Sequence, residues 1–176
     1  INLPKIEVGE KNLNYTDVNG VLFDKRKILL LNYPAGKSDT TYTIPDSVTT
    51  IGGWAFHNCA SLTSITIPDS VTSIGDQAFY LCTSLKSITI PDSVTSIENW
   101  TFLNCTGLTS IAIPSSVTNI RQEAFAKCTK LTEIMFQGAA PTVVDANTFK
   151  GVADDAIAFV TPKALKSFGE VGDKWN

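Results

Sequence analysis

The chain has 176 residues, 43% of them hydrophobic, and carries 14 basic and 17 acidic side chains for a formal net charge of −3. This suits one domain with a real core, and the lack of any basic stripe excludes a phosphate-backbone binder, so nucleic acid is not an expected partner. The longest aliphatic run, Ile28 to Leu31, is too short to cross a bilayer, so no membrane insertion is expected.

No charged-then-apolar leader opens the chain, so in an exported protein the signal peptide would lie outside this sequence. Leu3-Pro4-Lys5-Ile6-Glu7-Val8 predicts a strand of the kind that recurs later. Because a repeat strand comes almost at once, the chain reads as a fragment or processed form. Val21-Leu22-Phe23 and Ile28 to Leu31 flank the charged stretch Asp24 to Lys27, which predicts a hairpin. Tyr42 and Ile44 then enter a strict period.

From Ile44 onward the same 23 residues return four times. Residues 44–66 read IPDSVTTIGGWAFHNCASLTSIT, residues 67–89 IPDSVTSIGDQAFYLCTSLKSIT, residues 90–112 IPDSVTSIENWTFLNCTGLTSIA and residues 113–135 IPSSVTNIRQEAFAKCTKLTEIM. A period in this range predicts a stacked array, in which each unit completes its core against its neighbours. Within a unit, Leu85 to Ile90 alternates around Ile88 and predicts a strand. Pro91 ends it, Asp92 and Ser93 supply turn chemistry, and Val94 to Ile97 is a second extended stretch. Gly75 to Phe79 reads as a turn entering a short helix or 3₁₀ turn, with Phe79, Cys82 and Leu85 facing inward.

The pattern LxxIxIPxSVxxIxxxxFxxCxx over residues 44–135 resembles the BspA-like (Treponema-type) leucine-rich repeat, found in surface proteins of gut and oral bacteria and of some protists. The resemblance implies an α/β fold: a right-handed leucine-rich-repeat solenoid with about seven parallel strands on a concave sheet and short helical or 3₁₀ turns on the convex side. It also implies one domain in three parts. Residues 1–43 form an irregular N-terminal repeat with the hairpin, residues 44–135 the four regular units, and residues 136–176 a closing unit. In that last part Lys163 to Phe168 is expected as a short amphipathic helix and Trp175 as a cover for the end of the core.

The chemistry-bearing residues are few. Cys59, Cys82, Cys105 and Cys128 share one slot and read as buried thiols, although stacked coils would bring neighbours near enough for a bridge. No CxxC occurs, so neither zinc nor redox chemistry is indicated. His57 is the only histidine, and its slot is filled by Tyr80, Leu103 and Ala126 in the other units, so it reads as an exposed polar residue. No catalytic residue and no cofactor is expected. Asp46, Asp69 and Asp92 align, with Ser115 fourth. A calcium ladder would need a second acidic column beside them, and turn capping explains them instead. Asn14, Asn99 and Asn104 each begin an Asn-x-Ser/Thr triplet, meaningful in a eukaryotic secretory pathway.

Two faces remain as candidates. On the concave side Thr41, Thr43, Ser64, Thr66, Ser87, Thr89 and Ser110, with Ala112, Glu133 and Met135, flank the central apolar strand residues. Lys5 and Glu7 would extend them. The rival patch is convex: Trp54 and Trp100 in one slot, Tyr80 and Leu103 in another, set among polar residues as interface anchors are. An ice-binding lattice fits poorly, because the hydroxyl ladder breaks at Ala112 and Met135.

The array without catalytic chemistry points to a non-catalytic protein-binding module. The resemblance implies a secreted or cell-surface protein adhering to host matrix proteins or to other cells. The competing reading is a structural spacer that holds another domain away from a surface.

Overall fold

Each coil follows from its own residues. In the coil beginning at Ser64, Ile65 is buried between the exposed Ser64 and Thr66. The Pro68-Asp69-Ser70-Val71 turn then closes with the Val71 N–H donating to the Pro68 carbonyl at 3.1 Å. A second two-residue strand and a run of tight turns bring the chain back at Leu85. The computed structural model describes residues 2–168 of the chain; the expectation for Trp175 lies outside them.

The elements begin with strands β1 (Tyr15–Val18), β2 (Val21–Asp24) and β3 (Leu29–Asn32). Two strands per coil follow: β4 (Thr41–Thr43) and β5 (Thr50–Ile51), β6 (Ser64–Thr66) and β7 (Ser73–Ile74), β8 (Ser87–Ile88) and β9 (Ser96–Ile97), β10 (Ser110–Ile113) and β11 (Asn119–Ile120), β12 (Glu133–Phe136) and β13 (Val143–Val144), then β14 (Ile157–Val160). On one face β4, β6 and β8 pair in parallel, as do β10, β12 and β14, and the bridge between Thr89 and Ala112 joins the two groups. On the other, β3, β5 and β7 pair in parallel, and so do β9, β11 and β13. The result is a parallel β-solenoid of about six turns.

At the N-terminus β1 and β2 pair antiparallel across Asn19 and Gly20, whose φ values of 51° and 80° fit a two-residue hairpin turn. β2 and β3 pair antiparallel across the charged stretch. There the Asp24 carboxylate accepts from the N–H groups of Ile28 and Leu29, both at 2.8 Å. Residues Leu3 to Val8 form no strand, so among the described residues the strand face has six strands where about seven were expected. Pro4 has no N–H to give a ladder. Ile6 donates to the Gly20 carbonyl at 2.9 Å, and Val8 to the Asp17 carboxylate at 2.9 Å. The segment is thus pinned to the hairpin by separate bonds.

The expected helical turns on the opposite side are absent, and the backbone explains why. Trp54, Gln77, Trp100 and Glu123 have φ between 50° and 63°, and Asn58, Leu81, Asn104 and Lys127 between 58° and 62°. Two left-handed residues four apart interrupt any helix. Alternate N–H groups also leave the coil. Trp54, Phe56 and Asn58 donate to the carbonyls of Asp76, Ala78 and Tyr80 at 2.7 to 3.0 Å, while Ala55, His57 and Cys59 close local turns. A ladder of stacked turns satisfies the same donors that a helix would use internally. At the C-terminal end the expected helix over 163–168 is a single 3₁₀ turn, Leu165–Phe168, with Phe168 packed edge-on against Phe136 at 4.9 Å.

The core is columnar. Tyr33, Phe56, Phe79, Phe102, Phe125 and Phe149 stack with centroids 5.2 to 5.5 Å apart, and the interplanar angle falls from 25° at the first pair to 4–5° in the last three. Beside this column each cysteine thiol donates to a backbone carbonyl one coil back. Cys82 reaches Phe56 at 3.0 Å, and Cys105 and Cys128 reach Phe79 and Phe102 at 3.1 Å. All four thiols are free and buried.

Candidate binding faces

Register fixes what the strand face displays. Thr41 lies beside Ser64, and Ser64 beside Ser87; at the far end Ser110 lies beside Glu133, and Glu133 beside Ile157. The second file runs Thr43, Thr66, Thr89, Ala112, Met135, Phe159. Neighbours in a file stand about 4.8 Å apart. Every expected residue of this set is therefore brought together, except Lys5 and Glu7, which ion-pair with each other off the sheet.

Its chemistry changes along the array. The first three coils present hydroxyls, and the last two present Met135 at 50% exposure, Ile157 at 57% and Phe159 at 46%. A shallow depression of about 270 Å³ opens between Ser110, Ala112, Glu133, Met135 and Phe159. Ile157 and Phe159 escaped the sequence reading because they follow Glu133 and Met135 by 24 residues instead of 23. The alternation of Ile157-Ala158-Phe159-Val160 was the signal that could have found them.

Several hydroxyls elsewhere are consumed by the fold. Ser70 donates to the Val48 carbonyl at 2.8 Å and Ser116 to Val94 at 2.7 Å. Thr63, Thr109 and Thr132 donate to carbonyls 23 residues back at 3.0 to 3.3 Å. The turn chemistry thus belongs to the serines, acting as donors to the neighbouring coil. By contrast, the side chains of Thr41, Thr43, Ser64, Thr66, Ser87, Thr89 and Ser110 make no hydrogen bond among the described residues. They remain free for a partner or for water.

The turn face splits the rival set. Trp54, at 47% exposure, meets the Tyr80 ring at 6.1 Å and the His57 ring at 5.1 Å, and His57 lies 5.3 Å from Tyr80. Trp100 and Leu103 are half-buried one coil further on and join no such cluster among the described residues. His57 is not the exposed polar residue expected. It is half-buried between two aromatic rings, which withdraws it from water and lowers its pKa. Its imidazole touches no nucleophile: the Cys59 thiol is directed at the Tyr33 carbonyl at 3.5 Å, and burial pushes that thiol up to about 12. Neither a Cys-His nor a Ser-His pair is assembled here.

Asp46, Asp69 and Asp92 are exposed. Among the described residues no cluster of His, Cys, Asp or Glu could hold a metal ion, and no helix is long and apolar enough to cross a membrane. Of the three Asn triplets, Asn99 has its side-chain amide donating to Asp76 at 3.1 Å, and Asn104 occupies a left-handed turn position.

The repeat region matches the family described as the BspA type leucine rich repeat region, in six copies over residues 35–154. That match is to a repeat scaffold, and no enzyme family is indicated. None of the curated proteins is significantly similar in sequence. Among solved structures, a leucine rich cell surface protein from Faecalibacterium prausnitzii superposes with a TM-score of 0.80 at 30% identity, over 88% of this chain and 42% of its own. The pneumococcal vaccine antigen PcpA superposes with a TM-score of 0.82 at 24% identity, over 92% of this chain and 40% of its own. A leucine rich repeat protein of T. pallidum gives 0.59 at 23% identity, over 89% of this chain and 65% of its own. The chain thus spans less than half the length of the first two proteins, and the last two likenesses speak to fold alone. With its stacked turns, its phenylalanine and cysteine columns and six matched copies, the chain belongs to the BspA-type leucine-rich-repeat family.

Proposed function

We propose that this chain is a non-catalytic protein-binding module of a secreted or cell-surface protein, and that it adheres to a host matrix or cell-surface protein through its strand face. The observation that carries the reading is the C-terminal end of that face. Met135 and Phe159 stand side by side, half in water, over a depression edged by Glu133, and the exposed Ile157 lies beside Glu133. Apolar side chains grouped in this way on an otherwise hydroxylated sheet are what a partner can cover. Full burial of one such side chain is worth about 1.5–3 kcal/mol, so the patch supplies anchors and the free hydroxyls of the first coils supply the polar surround. The cell-surface description of the Faecalibacterium protein supports the location.

The test is binding of the purified chain to immobilised extracellular-matrix proteins and to cells. Replacing Met135 and Phe159 together by serine should weaken retention at least tenfold while leaving the melting temperature within a few degrees. A spacer would show no saturable binding to any surface, and it would tolerate deletion of a whole 23-residue unit without loss of the parent protein's activity.

A further inference from the structure

On the opposite face, the long N-terminal segment meets the first regular coil and leaves a cleft of about 160 Å³ lined by Leu3, Ile6, Asn32, Tyr33, Pro34, Ala35, Trp54 and His57. We propose that this cleft, between the Trp54 indole and the Asn32 and His57 side chains, binds a neutral sugar ring of a glycan. The inference is separate from the strand-face reading and concerns another surface and another class of ligand.

The floor is rigid. Tyr33 is 1% exposed, stacks on Phe56 at 5.4 Å and has its hydroxyl fixed on the Asp39 carboxylate at 2.9 Å. It continues the aromatic column and cannot swing away. The wall is the exposed Trp54 indole; the residue's backbone N–H donates to the Asp76 carbonyl at 3.0 Å, and the ring is braced by Tyr80 and His57. No lining side chain carries a formal charge at neutral pH, so nothing in the cleft selects an ion.

Two polar groups are left over. The Asn32 amide and the His57 imidazole are half-buried, and neither makes a side-chain hydrogen bond among the described residues. A purely aliphatic ligand would strip water from both and return nothing, which costs about 1–3 kcal/mol for each group left unsatisfied. A pyranose has what this cleft lacks: a face of C–H groups to lie on the indole and an edge of hydroxyls to pair with an amide and an imidazole. Apolar walls with a few placed polar groups are the usual make-up of a small-ligand site.

The coil itself does not require the indole. Trp54 has φ 63°, and Gln77, Trp100 and Glu123 adopt the same left-handed backbone in the same slot with quite different side chains. Trp100 lacks this opposing wall, because Leu3, Ile6, Pro34 and Ala35 come from the irregular N-terminal segment and line the cleft at Trp54. That makes Trp100 an internal control.

The experiment is saturation-transfer NMR on the whole chain with methyl glycosides of glucose, galactose, mannose and N-acetylglucosamine, and with neutral oligosaccharides built from them. The expected result is transfer to ring C–H protons of at least one sugar at millimolar concentration. It should be abolished in Trp54→Gln, which installs the side chain the next coil already carries in that slot, and reduced at least fivefold in Asn32→Ala. Trp100→Gln should leave it unchanged. Absence of transfer to every neutral sugar overturns the proposal, as does transfer that survives Trp54→Gln, or saturable binding of a proline-rich peptide at this cleft with no sugar competing. Circular dichroism melting of each variant separates loss of site from loss of fold. Strand-face binding should persist in Trp54→Gln, so failure of either reading is visible without the other.

Discussion

The thiol of Cys105 donates to the carbonyl oxygen of Phe79, 26 residues earlier in the chain, at 3.1 Å. The same contact at Cys82 and Cys128 stitches successive coils together beside the aromatic column. A buried thiol held this way is a poor nucleophile, since the thiolate would have to form in an apolar interior. Iodoacetamide at about pH 8 should therefore label none of the four cysteines in the native chain and all four after denaturation, as counted by intact mass. Cys105→Ala removes the donor and leaves a small void, at an expected cost of about 1–2 kcal/mol in urea unfolding. Labelling of the native chain would show that the coils open far more readily than this packing allows.

The phenylalanine column makes a graded prediction. Phe102 is fully buried between Phe79 and Phe125 with rings nearly parallel, whereas Phe149 is half-buried with a ring neighbour on one side among the described residues. Phe102→Ala should cost about 3–5 kcal/mol, in the range for a large aromatic removed from a packed core. Phe149→Ala should cost roughly half as much. In a stacked array the central defect also uncouples the coils on either side. Unfolding of Phe102→Ala should accordingly broaden or split, while that of Phe149→Ala stays cooperative.

The repeat, its two strands, its inward Phe and Cys and the hairpin across Asp24 to Lys27 were all legible from spacing and residue type. The turn face was not. Gly75-Asp76-Gln77-Ala78-Phe79 contains good helix formers, and nothing in Gln77, Trp54, Trp100 or Glu123 announces a left-handed backbone. Only the second slot, with Asn58 and Asn104, carries a residue that favours it. What overrides propensity is tertiary: the N–H groups of Trp54, Phe56 and Asn58 find carbonyls in the next coil, and a single 23-residue unit cannot show that. Asn19-Gly20 was the opposite case, a local hairpin signal passed over in favour of the larger charged turn. Among candidate site residues, the hydroxyl files were readable from the period, while Ile157 and Phe159 were hidden by a one-residue insertion. The cleft at Trp54 was unreadable because its two walls lie about 20 residues or more apart in the sequence.

The left-handed slot offers its own test. Glu123 has φ 50°, a conformation that costs an L-residue roughly 1–2 kcal/mol and glycine almost nothing. Glu123→Gly should raise stability by about 0.5–1 kcal/mol once glycine's extra freedom in the unfolded chain is counted. Glu123→Val, with its branched Cβ, should lower it by a similar amount. A helix at this position would reverse the sign for glycine, which is a poor helix former, while valine would lower stability on either backbone, so the urea midpoint of Glu123→Gly decides between the stacked turns and the expected convex helix.

Alkaline pH should weaken the array more than its surface charge alone would. Burial pushes Cys59 and Cys128 from an ordinary 9.0 up to about 12, Cys82 and Cys105 well above 9.0, and Tyr42 from 10.0 up to about 12. Each of these groups is harder to deprotonate folded than unfolded. Their contribution is therefore fully present below about pH 9 and is lost as pH rises toward 12, because the unfolded chain gives up its protons first. A tenfold change in acidity is about 1.4 kcal/mol, so at pH 10.5 Cys59 and Cys128 should each subtract about 2 kcal/mol from the stability at pH 8, with Cys82 and Cys105 acting in the same direction. Cys105→Ala provides the internal check: it should start less stable at pH 8 and then lose less than the parent on going to pH 10.5. Equal losses in the two proteins would mean that the Cys105 thiol meets water in the folded state.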